Sequence, residues 1–309
     1  MMNYIKIARP DHWIKQLFIV PGMVFAVVLI HLPITPAMVP LFLLTFLSTS
    51  CIASANYVIN EWLDAKFDKF HPVKKKRPVV ANDMRFSIVM AEYIILAAVG
   101  LALSFCVSGY LLAMEAFLLF MGILYNVNPV RTKDIPYLDV LSESLNNGIR
   151  LMIGWFAFNN EYLPPISIVL GYWLGGAFLM ATKRYAEYRM INDKELAGLY
   201  RKSFKYYSEQ SLLISAFFYA MSSVFFCGIF MIKYKIELIF AIPLLCGLFC
   251  YYLSISYKED SSVQKPEKLY REKGLMAYLG VFVFVTALLC FVQIPVLDQF
   301  LENMLLSVF

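Results

Sequence analysis

Residues 38–79 read MVPLFLLTFLSTSCIASANYVINEWLDAKFDKFHPVKKKRPV. Residues 38–58 are predominantly apolar, and a run of this length is what a helix needs to cross the hydrocarbon core of a bilayer. Acidic residues follow the run at spacings of three and four, and a cluster of lysine and arginine comes next. The stretch therefore predicts a spanning helix that leaves the membrane and continues into a charged loop.

The same apolar pattern recurs along the whole chain. Of its 309 residues, 60% are hydrophobic and 16% are charged, and the mean hydropathy is +0.65, whereas a soluble domain carries about 25% charged residues. Long apolar runs without period-two alternation predict helices rather than strands. We place nine spans at about residues 17–32, 38–58, 87–107, 109–125, 137–158, 165–182, 211–232, 236–257 and 276–296.

The distribution of charge sets the expected orientation. Of the 27 lysines and arginines, 24 lie before the first span or on the loops after spans 2, 4, 6 and 8. The opposite side keeps only Lys233 and Lys235, and Arg150 falls inside span 5. Because basic loops stay in the cytoplasm, we expect a cytoplasmic N-terminus and an external C-terminus. The sequence predicts an all-α polytopic membrane protein, a single domain over residues 1–309, with nine helices bundled around a central cavity open to the cytoplasm.

Composition also excludes other classes of protein. A secreted disulfide scaffold, a coiled coil and a nucleic-acid-binding domain do not fit it. Six cysteines lie in apolar runs without ligand or disulfide spacing, and we interpret them as small buried hydrophobic residues. No small-residue cleavage site follows the first basic residues, so we expect no removable signal peptide. The lack of an Arg- and Ser-rich leader favours a bacterial or archaeal cell membrane over an organelle.

Three carboxylates mark the loop after span 2. Glu61, Asp64 and Asp68 are three and four residues apart, so on a helix they share one face, where like charges repel. Hard oxygen ligands of this kind suit Mg²⁺, which also bridges to substrate phosphates, and Asn60 adds an amide to the set. The alternative is a solvated acidic helix end, and spacing alone leaves both interpretations open.

A basic run follows the acids. Lys74, Lys75, Lys76 and Arg77 come six to nine residues after Asp68. Such cations could hold a phosphorylated substrate, with arginine binding two oxygens at once. They would equally serve as an anchor to anionic lipid, and the two roles are compatible.

The loop after span 6 supplies further charges. Lys183, Arg184 and Glu187 fall within one helical turn just past span 6, where they can face the first acidic cluster across a cavity. An ordinary charged helix end is the alternative.

Ionisable groups also lie at membrane depth in span 5. Such groups are costly there and usually face an internal cavity. Asp139, Glu143 and Arg150 are separated by whole helical turns, so one polar stripe can carry all three.

These residues resemble a known family. Asn60-Glu61-x-x-Asp64-x-x-x-Asp68 resembles the first Asp-rich motif of the UbiA-type intramembrane prenyltransferase superfamily, whose nine helices carry active loops after helices 2 and 6. The departure is Glu61 where Asp is usual, and its carboxylate reaches further. Within the superfamily, several stretches resemble decaprenyl-phosphate phosphoribosyltransferase-like members: ARPDHWIKQLFIVPGMVF (8–25), HPVKKKRPV (71–79), LDV (138–140) followed by Arg150, KRYAE (183–187) and RKS (201–203). The similarity covers roughly residues 7–215.

The resemblance implies a reaction and roles for residues. The reaction is transfer of phosphoribose from phosphoribosyl pyrophosphate to a polyprenyl phosphate, with Mg²⁺ as cofactor and pyrophosphate released. The polyprenyl lipid and a phosphorylated co-substrate are then the partners. The implied metal ligands are Asn60, Glu61, Asp64 and Asp68, and the implied catalytic carboxylates are Asp64, Asp68, Glu187 and Asp139. The implied substrate-binding residues are Lys15, Asn60, Lys74, Arg77, Arg150, Lys183 and Arg184.

Two other functions remain open at this point. A true prenyltransferase, which moves an isoprenoid from its diphosphate to an aromatic acceptor, ionises the same kind of bond and needs the same acidic motif. The density of cations favours the phosphoribosyl reaction over it. A secondary transporter would carry embedded acids too, but transporters often show inverted repeats, and we find no clear repeat here.

Overall fold

Apolar segments in lipid must satisfy their backbone hydrogen bonds internally, and a helix does this within one segment. The computed structural model describes residues 2–70, 74–81, 84–258, 261–264 and 266–298. The described residues form helices and connecting turns, without a strand. The predicted all-α class is therefore confirmed.

Nine long helices occupy the described part of the chain. They are α1 (Asn3–Ile30), α2 (Met38–Asp68), α3 (Phe86–Phe105), α4 (Gly109–Asn126), α5 (Leu138–Phe158), α6 (Ile166–Ile191), α7 (Glu209–Tyr234), α8 (Ile236–Ser256) and α9 (Lys273–Phe291). Eight of them are apolar enough over a sufficient length to cross a membrane, and α5 is the exception. The predicted count of nine spans is thus not confirmed, although each predicted span corresponds to a helix.

Helix α5 has no stretch as apolar as those in the other eight long helices, and its position inside the bundle accommodates this polarity. It contacts α1, α2, α4 and α6. Its residues Asp139 and Glu143 and the later Arg150 therefore face protein or an internal cavity instead of lipid. This central position makes α5 one wall of the site described below.

Two glycines allow α1 and α5 to touch through their backbones. A Cβ atom on Gly154 would lie 1.8 Å from the carbonyl oxygen of Ile19, and a Cβ on Gly22 would lie 1.9 Å from that of Leu151. Helices in membranes often approach closely through such small residues. Close contact here places the first helix beside the polar face of α5.

Helices α2 and α6 are longer than the bilayer requires. At about 1.5 Å per residue, the 31 residues of α2 extend to about 46 Å, and the hydrocarbon core is about 30 Å thick. Both helices carry their charged residues in the final turns, on the side of the basic loops. The overhanging ends supply facing walls of one cavity.

A short helix, Lys194–Tyr200, follows α6 and covers this end of the bundle. The carboxylate of Asp193 caps it by accepting hydrogen bonds from the backbone N–H groups of Glu195 (2.9 Å) and Leu196 (3.1 Å). Buried aromatic residues, among them Tyr185, Phe204 and Tyr207, pack beneath the segment. The segment is thereby fixed close to the charged ends of α2 and α6.

Replacement of Gly154 by alanine tests the contact between α1 and α5. The new methyl group meets backbone, which cannot rotate away, so we expect Gly154→Ala to lower stability by about 1–3 kcal/mol, as overpacking does. Gly228→Ala is the matched control, because a Cβ there meets nothing within 4 Å and alanine favours the helix. Thermal unfolding of both variants in detergent measures the difference, and equal stability would contradict the described packing.

Candidate active site

A cavity of about 930 Å³ opens among the charged helix ends. Its wall includes the N-terminal segment, the last turns of α2 and α6, the polar face of α5, and Tyr200 and Arg201 beyond α6. Apolar side chains such as Phe18, Leu179 and Met180 also line it. The cavity therefore joins a charged region to an apolar one.

The acidic end of α2 has the geometry that its spacing predicts. Asn60, Glu61 and Asp64 all line the cavity. The side chain of Glu61 is buried and accepts a hydrogen bond from Arg9 at 3.0 Å. Asp68 is also buried but lies one turn further on, in a small crevice beside the cavity. The structure brings three of the four predicted residues into the cavity and leaves Asp68 at its edge.

Cations from three segments pair with the three carboxylates. Arg9, near the start of α1, binds Glu61 at 3.0 Å, Arg77 binds Asp68 at 2.5 Å, and Arg131 binds Asp64 at 2.9 Å. Arg9 and Arg131 both have left-handed backbones, with φ of 50° and 32°. That conformation costs a residue with a side chain about 1–2 kcal/mol. The strain is tolerated where the two side chains meet the acidic face of α2.

Lys133 adds a second cation to Asp64. Its ammonium group contacts the Asp64 carboxylate and donates to Asn126 at 2.7 Å and to Asn60 at 3.0 Å. Burial lowers the pKa of Lys133 to about 8, even though Asp64 raises it, and Arg131 lowers it further. Lys133 therefore fixes the amide and one carboxylate of the acidic face together.

Arg184 is the centre of the opposite wall. It is 1% exposed and donates to Glu143 of α5 and, at 3.2 Å, to the hydroxyl of Tyr125. Its Nη1 atom is 3.7 Å from the Glu187 carboxylate. Breaking a buried pair of this kind by removing one partner costs about 3–5 kcal/mol. Arg184 thus holds α4, α5 and α6 around the cavity.

Glu187 faces the cavity with a tyrosine beside it. The hydroxyl of Tyr200 donates to Glu187 at 3.1 Å, and both residues line the cavity. Burial, followed by the charge of Glu187, raises the pKa of Tyr200 well above its ordinary value. Tyr200 therefore stays protonated and remains a donor.

The remaining predicted cations are placed as follows. Lys15, Arg77, Arg150 and Lys183 line the cavity. Lys15 contacts His12 at 3.2 Å, and Arg150 donates to the side chain of Gln16 at 2.8 Å. The side chain of Lys74 lies outside the described residues, as do His71 and Pro72 of the same motif.

The structure revises the expected place of Asp139. The predicted polar stripe holds for Glu143 and Arg150, which line the cavity, but not for Asp139, which does not. Asp139 is completely buried, because residues of the segment after α6 cover the first turn of α5. Its carboxylate reaches the cavity only through neighbouring side chains.

The oxygen-rich face of α2 fits a Mg²⁺ ion in its chemistry. Among the described residues, no three acidic, histidine or cysteine side chains are close enough together to form a closed metal cage. Mg²⁺ does not need one, since it usually binds through one or two carboxylates, waters and substrate phosphates. One oxygen of Glu61, Oε1, is buried and accepts no hydrogen bond in the described part of the chain. Asn60, Glu61 and Asp64 therefore offer hard oxygen donors at the cavity wall.

Sequence reasoning missed several residues of this site. Arg131 and Lys133 were considered only as charges that set orientation. Arg9 and Arg201 lie in stretches that carry the family resemblance but were given no role in the site, and Tyr125 was not singled out. A signal was available for two of them. Three carboxylates on one helix face require counter-charges, and Arg131 and Lys133 lie on the next loop on the same side.

Comparison with known proteins gives the family. Among curated proteins, the chain is 26% identical to nodulation protein NoeC of Azorhizobium caulinodans over 66% of its length. It is 25% identical to decaprenyl-phosphate phosphoribosyltransferase of Corynebacterium glutamicum, again over 66%. These alignments span 63% and 59% of the relatives' own lengths.

Solved structures share the fold. A UbiA homolog from Archaeoglobus fulgidus, solved with DMAPP and Mg²⁺, matches with a TM-score of 0.68 and 19% identity over 92% of this chain and 99% of that one. A homolog from Aeropyrum pernix K1 matches with a TM-score of 0.61 and 15% identity over 88% and 97%. The model of the UbiA prenyltransferase family matches residues 18–279. The chain therefore belongs to the UbiA prenyltransferase family.

Proposed function

We propose that this protein transfers phosphoribose from phosphoribosyl pyrophosphate to a polyprenyl phosphate within the membrane and releases pyrophosphate. One observation carries the choice of substrates. Among the described residues, nine lysines and arginines line the cavity, against five aspartates and glutamates. A cavity with this excess of positive charge suits two phosphorylated substrates better than one.

The charge of the substrates favours phosphoribosyl transfer over prenyl transfer. Phosphoribosyl pyrophosphate carries a diphosphate and a separate phosphate, and the lipid acceptor carries another phosphate. A prenyl diphosphate with an aromatic acid brings a single diphosphate and one carboxylate. Arginine binds phosphate through paired hydrogen bonds, and Arg77, Arg150 and Arg184 lie at different points of the cavity wall. Several separate phosphate groups can therefore be bound at once.

Asn60, Glu61, Asp64 and Asp68 are the residues that would hold Mg²⁺ with the diphosphate of the donor. The ion would supply Lewis-acid neutralisation of the charge that develops on pyrophosphate as it leaves. Asp68 lies at the edge of the cavity, where Arg77 binds one of its oxygens. Mg²⁺ bound with GPP or DMAPP in structures of the Archaeoglobus fulgidus homolog supports this assignment.

The protein's own side chains then act on the sugar and the phosphates. Departure of pyrophosphate leaves positive charge at the ribose carbon, and preorganised carboxylates stabilise such charge. Glu187 faces the cavity and is held by Tyr200, which suits it to this role. The acceptor phosphate is already ionised near neutral pH and attacks without a general base. Lys15, Lys183 and Arg184 orient the phosphates.

The names of relatives support the phosphoribosyl reaction. The relative from Corynebacterium glutamicum and another from Mycolicibacterium smegmatis are both called decaprenyl-phosphate phosphoribosyltransferase. In this proposal the protein lies in a bacterial or archaeal cell membrane with the cavity and the N-terminus on the cytoplasmic side, where a soluble donor is available. Prenyl transfer to an aromatic acceptor is the second candidate, favoured by the isoprenoid diphosphates in the homologous structures.

A substrate comparison separates the two reactions. Purified protein in detergent receives either phosphoribosyl pyrophosphate with polyprenyl phosphate, or geranyl diphosphate with 4-hydroxybenzoate, and released pyrophosphate is followed. We expect release only with the first pair, only with Mg²⁺ present, and abolished by a chelator. Turnover of the second pair alone would overturn the phosphoribosyl assignment in favour of prenyl transfer.

Removal of single charges on α2 tests the metal assignment. Asp64→Asn and Asp68→Asn should each reduce Mg²⁺-dependent turnover by at least about a hundredfold, as loss of one preorganised electrostatic group does, with normal accumulation in membranes. Asp193→Asn is the matched control, because Asp193 is exposed and outside the cavity, and asparagine caps a helix as well as aspartate. Near-normal turnover in either α2 variant would refute that residue's role.

A further inference from the structure

Asp139 is a buried carboxylate that touches the cavity wall from behind. It lies in the first turn of α5, is 0% exposed and is not part of the cavity lining. Burial of an ionised group is costly unless charges and hydrogen bonds compensate it. The groups around Asp139 must therefore compensate the cost of burying its carboxylate, and their identity indicates its role.

Two hydroxyl groups hold the carboxylate in place. Tyr207 donates to Oδ1 at 2.7 Å, and Ser203 donates to Oδ2 at 3.1 Å. Both residues belong to the segment after α6, so Asp139 attaches that segment to the start of α5. The positive end of the helix dipole adds to the stabilisation of a carboxylate in this turn.

Two arginines approach the same carboxylate oxygen. The Nε atom of Arg184 is 3.4 Å from Oδ2 of Asp139, and the Nη1 atom of Arg201 is 3.7 Å from it. Both arginines also donate to one hydroxyl, that of Tyr125, at 3.2 Å and 3.3 Å. Two guanidinium groups that share a hydroxyl repel each other, and a carboxylate close to both offsets this repulsion.

Arg184 and Arg201 both line the cavity. Arg184 comes from α6, whereas Arg201 comes from the turn after the short helix Lys194–Tyr200. No element of secondary structure that contains both residues fixes their separation. The separation depends on what each guanidinium contacts behind the cavity wall, and Asp139 is a contact of both.

We infer that Asp139 is a positioning residue, which aligns Arg184 and Arg201 so that together they bind the phosphate oxygens of a substrate in the cavity. The inference rests on the proposed function for the identity of that substrate, and it applies to any phosphorylated ligand of this wall. Asp139 itself does not touch the ligand, so it is not a catalytic residue.

Electrostatics gives this inference a test with a defined sign. Asp139→Asn preserves shape and keeps an acceptor oxygen but removes a negative charge close to the cavity. By Coulomb's law alone, that change would strengthen binding of an anion. Loss of alignment of the two arginines would instead weaken binding, by about tenfold or more, as when one member of a buried charge pair is lost.

The experiment measures binding of inorganic pyrophosphate to the full-length protein in detergent by calorimetry. We expect Asp139→Asn to raise the dissociation constant about tenfold or more. Tyr207→Phe is the matched control, because it removes a hydrogen bond from the same carboxylate and leaves its charge. It should lower the thermal midpoint and leave the dissociation constant within about twofold of that of the wild type.

Each outcome decides the inference. Unchanged or tighter binding in Asp139→Asn would overturn it, as would equal weakening in Tyr207→Phe, since Asp139 would then be purely structural. If Asp139→Asn does not accumulate, Asp139→Glu is measured, and unaltered pyrophosphate affinity there is the contrary result. Pyrophosphate is the product of both candidate transfers, so a failure of phosphoribosyl transfer leaves this measurement intact. If the wild type carries out phosphoribosyl transfer but Asp139→Asn does not change pyrophosphate affinity, the inference about Asp139 is wrong and the proposed function stands.

Discussion

Charged groups inside a helical bundle are stabilised by opposite charges or hydrogen-bonding groups within a few ångströms, and this requirement governs how the segments meet around the cavity. Arg184 shows it most clearly, because its three nitrogens face Asp139, Glu143 and Glu187. These carboxylates belong to α5 and α6, so the two helices cannot separate without exposing unpaired charge to a low dielectric. The polar wall of the cavity thus also holds α5 and α6 together.

The acidic face of α2 is organised in the same way, with each carboxylate bound by a cation from a different part of the chain. Arg9 comes from near the start of α1, Arg77 from the loop after α2, and Arg131 from the loop between α4 and α5. Phosphate oxygens compete with carboxylates for such cations. Under the proposed reaction, substrate binding can therefore exchange one set of anionic partners for another without leaving any cation unpaired.

Much of this arrangement could be predicted from the sequence, because the relevant signals are local. Long apolar runs give the helices, and spacings of three and four predict one face for Glu61, Asp64 and Asp68, of which Glu61 and Asp64 line the cavity and Asp68 lies at its edge. Alternating basic loops correctly group the ends of α2 and α6 on one side. The same reasoning places Glu143 and Arg150 on the inward face of α5.

The remainder depends on tertiary contacts that periodicity does not encode. Asp139 was predicted to share a polar stripe, but helical spacing cannot reveal that Ser203 and Tyr207 cover that turn. The contact between Lys133 and Asp64 could not be predicted either, because it depends on how the loop that carries Lys133 folds back beneath α2. Hydropathy also does not identify α5 as a membrane span. A hydropathy scale assumes that a spanning helix is surrounded by lipid, whereas α5 is surrounded by other helices and the cavity.

Under the proposed reaction, the volume of the cavity would account for the use of a soluble donor by a membrane protein. About 930 Å³ is the size of a pocket for one or two small molecules, and a polyprenyl chain of many isoprene units would not fit in it. In the proposed reaction, the phosphate groups and the sugar would occupy the charged part, and the chain of the acceptor would extend from the apolar part, which Phe18 and Met180 line. The bilayer then solvates the apolar part of the substrate, and the protein needs to build only the polar part of the site. This division accounts for a chain in which charge is scarce overall but concentrated where α2, α5 and α6 meet.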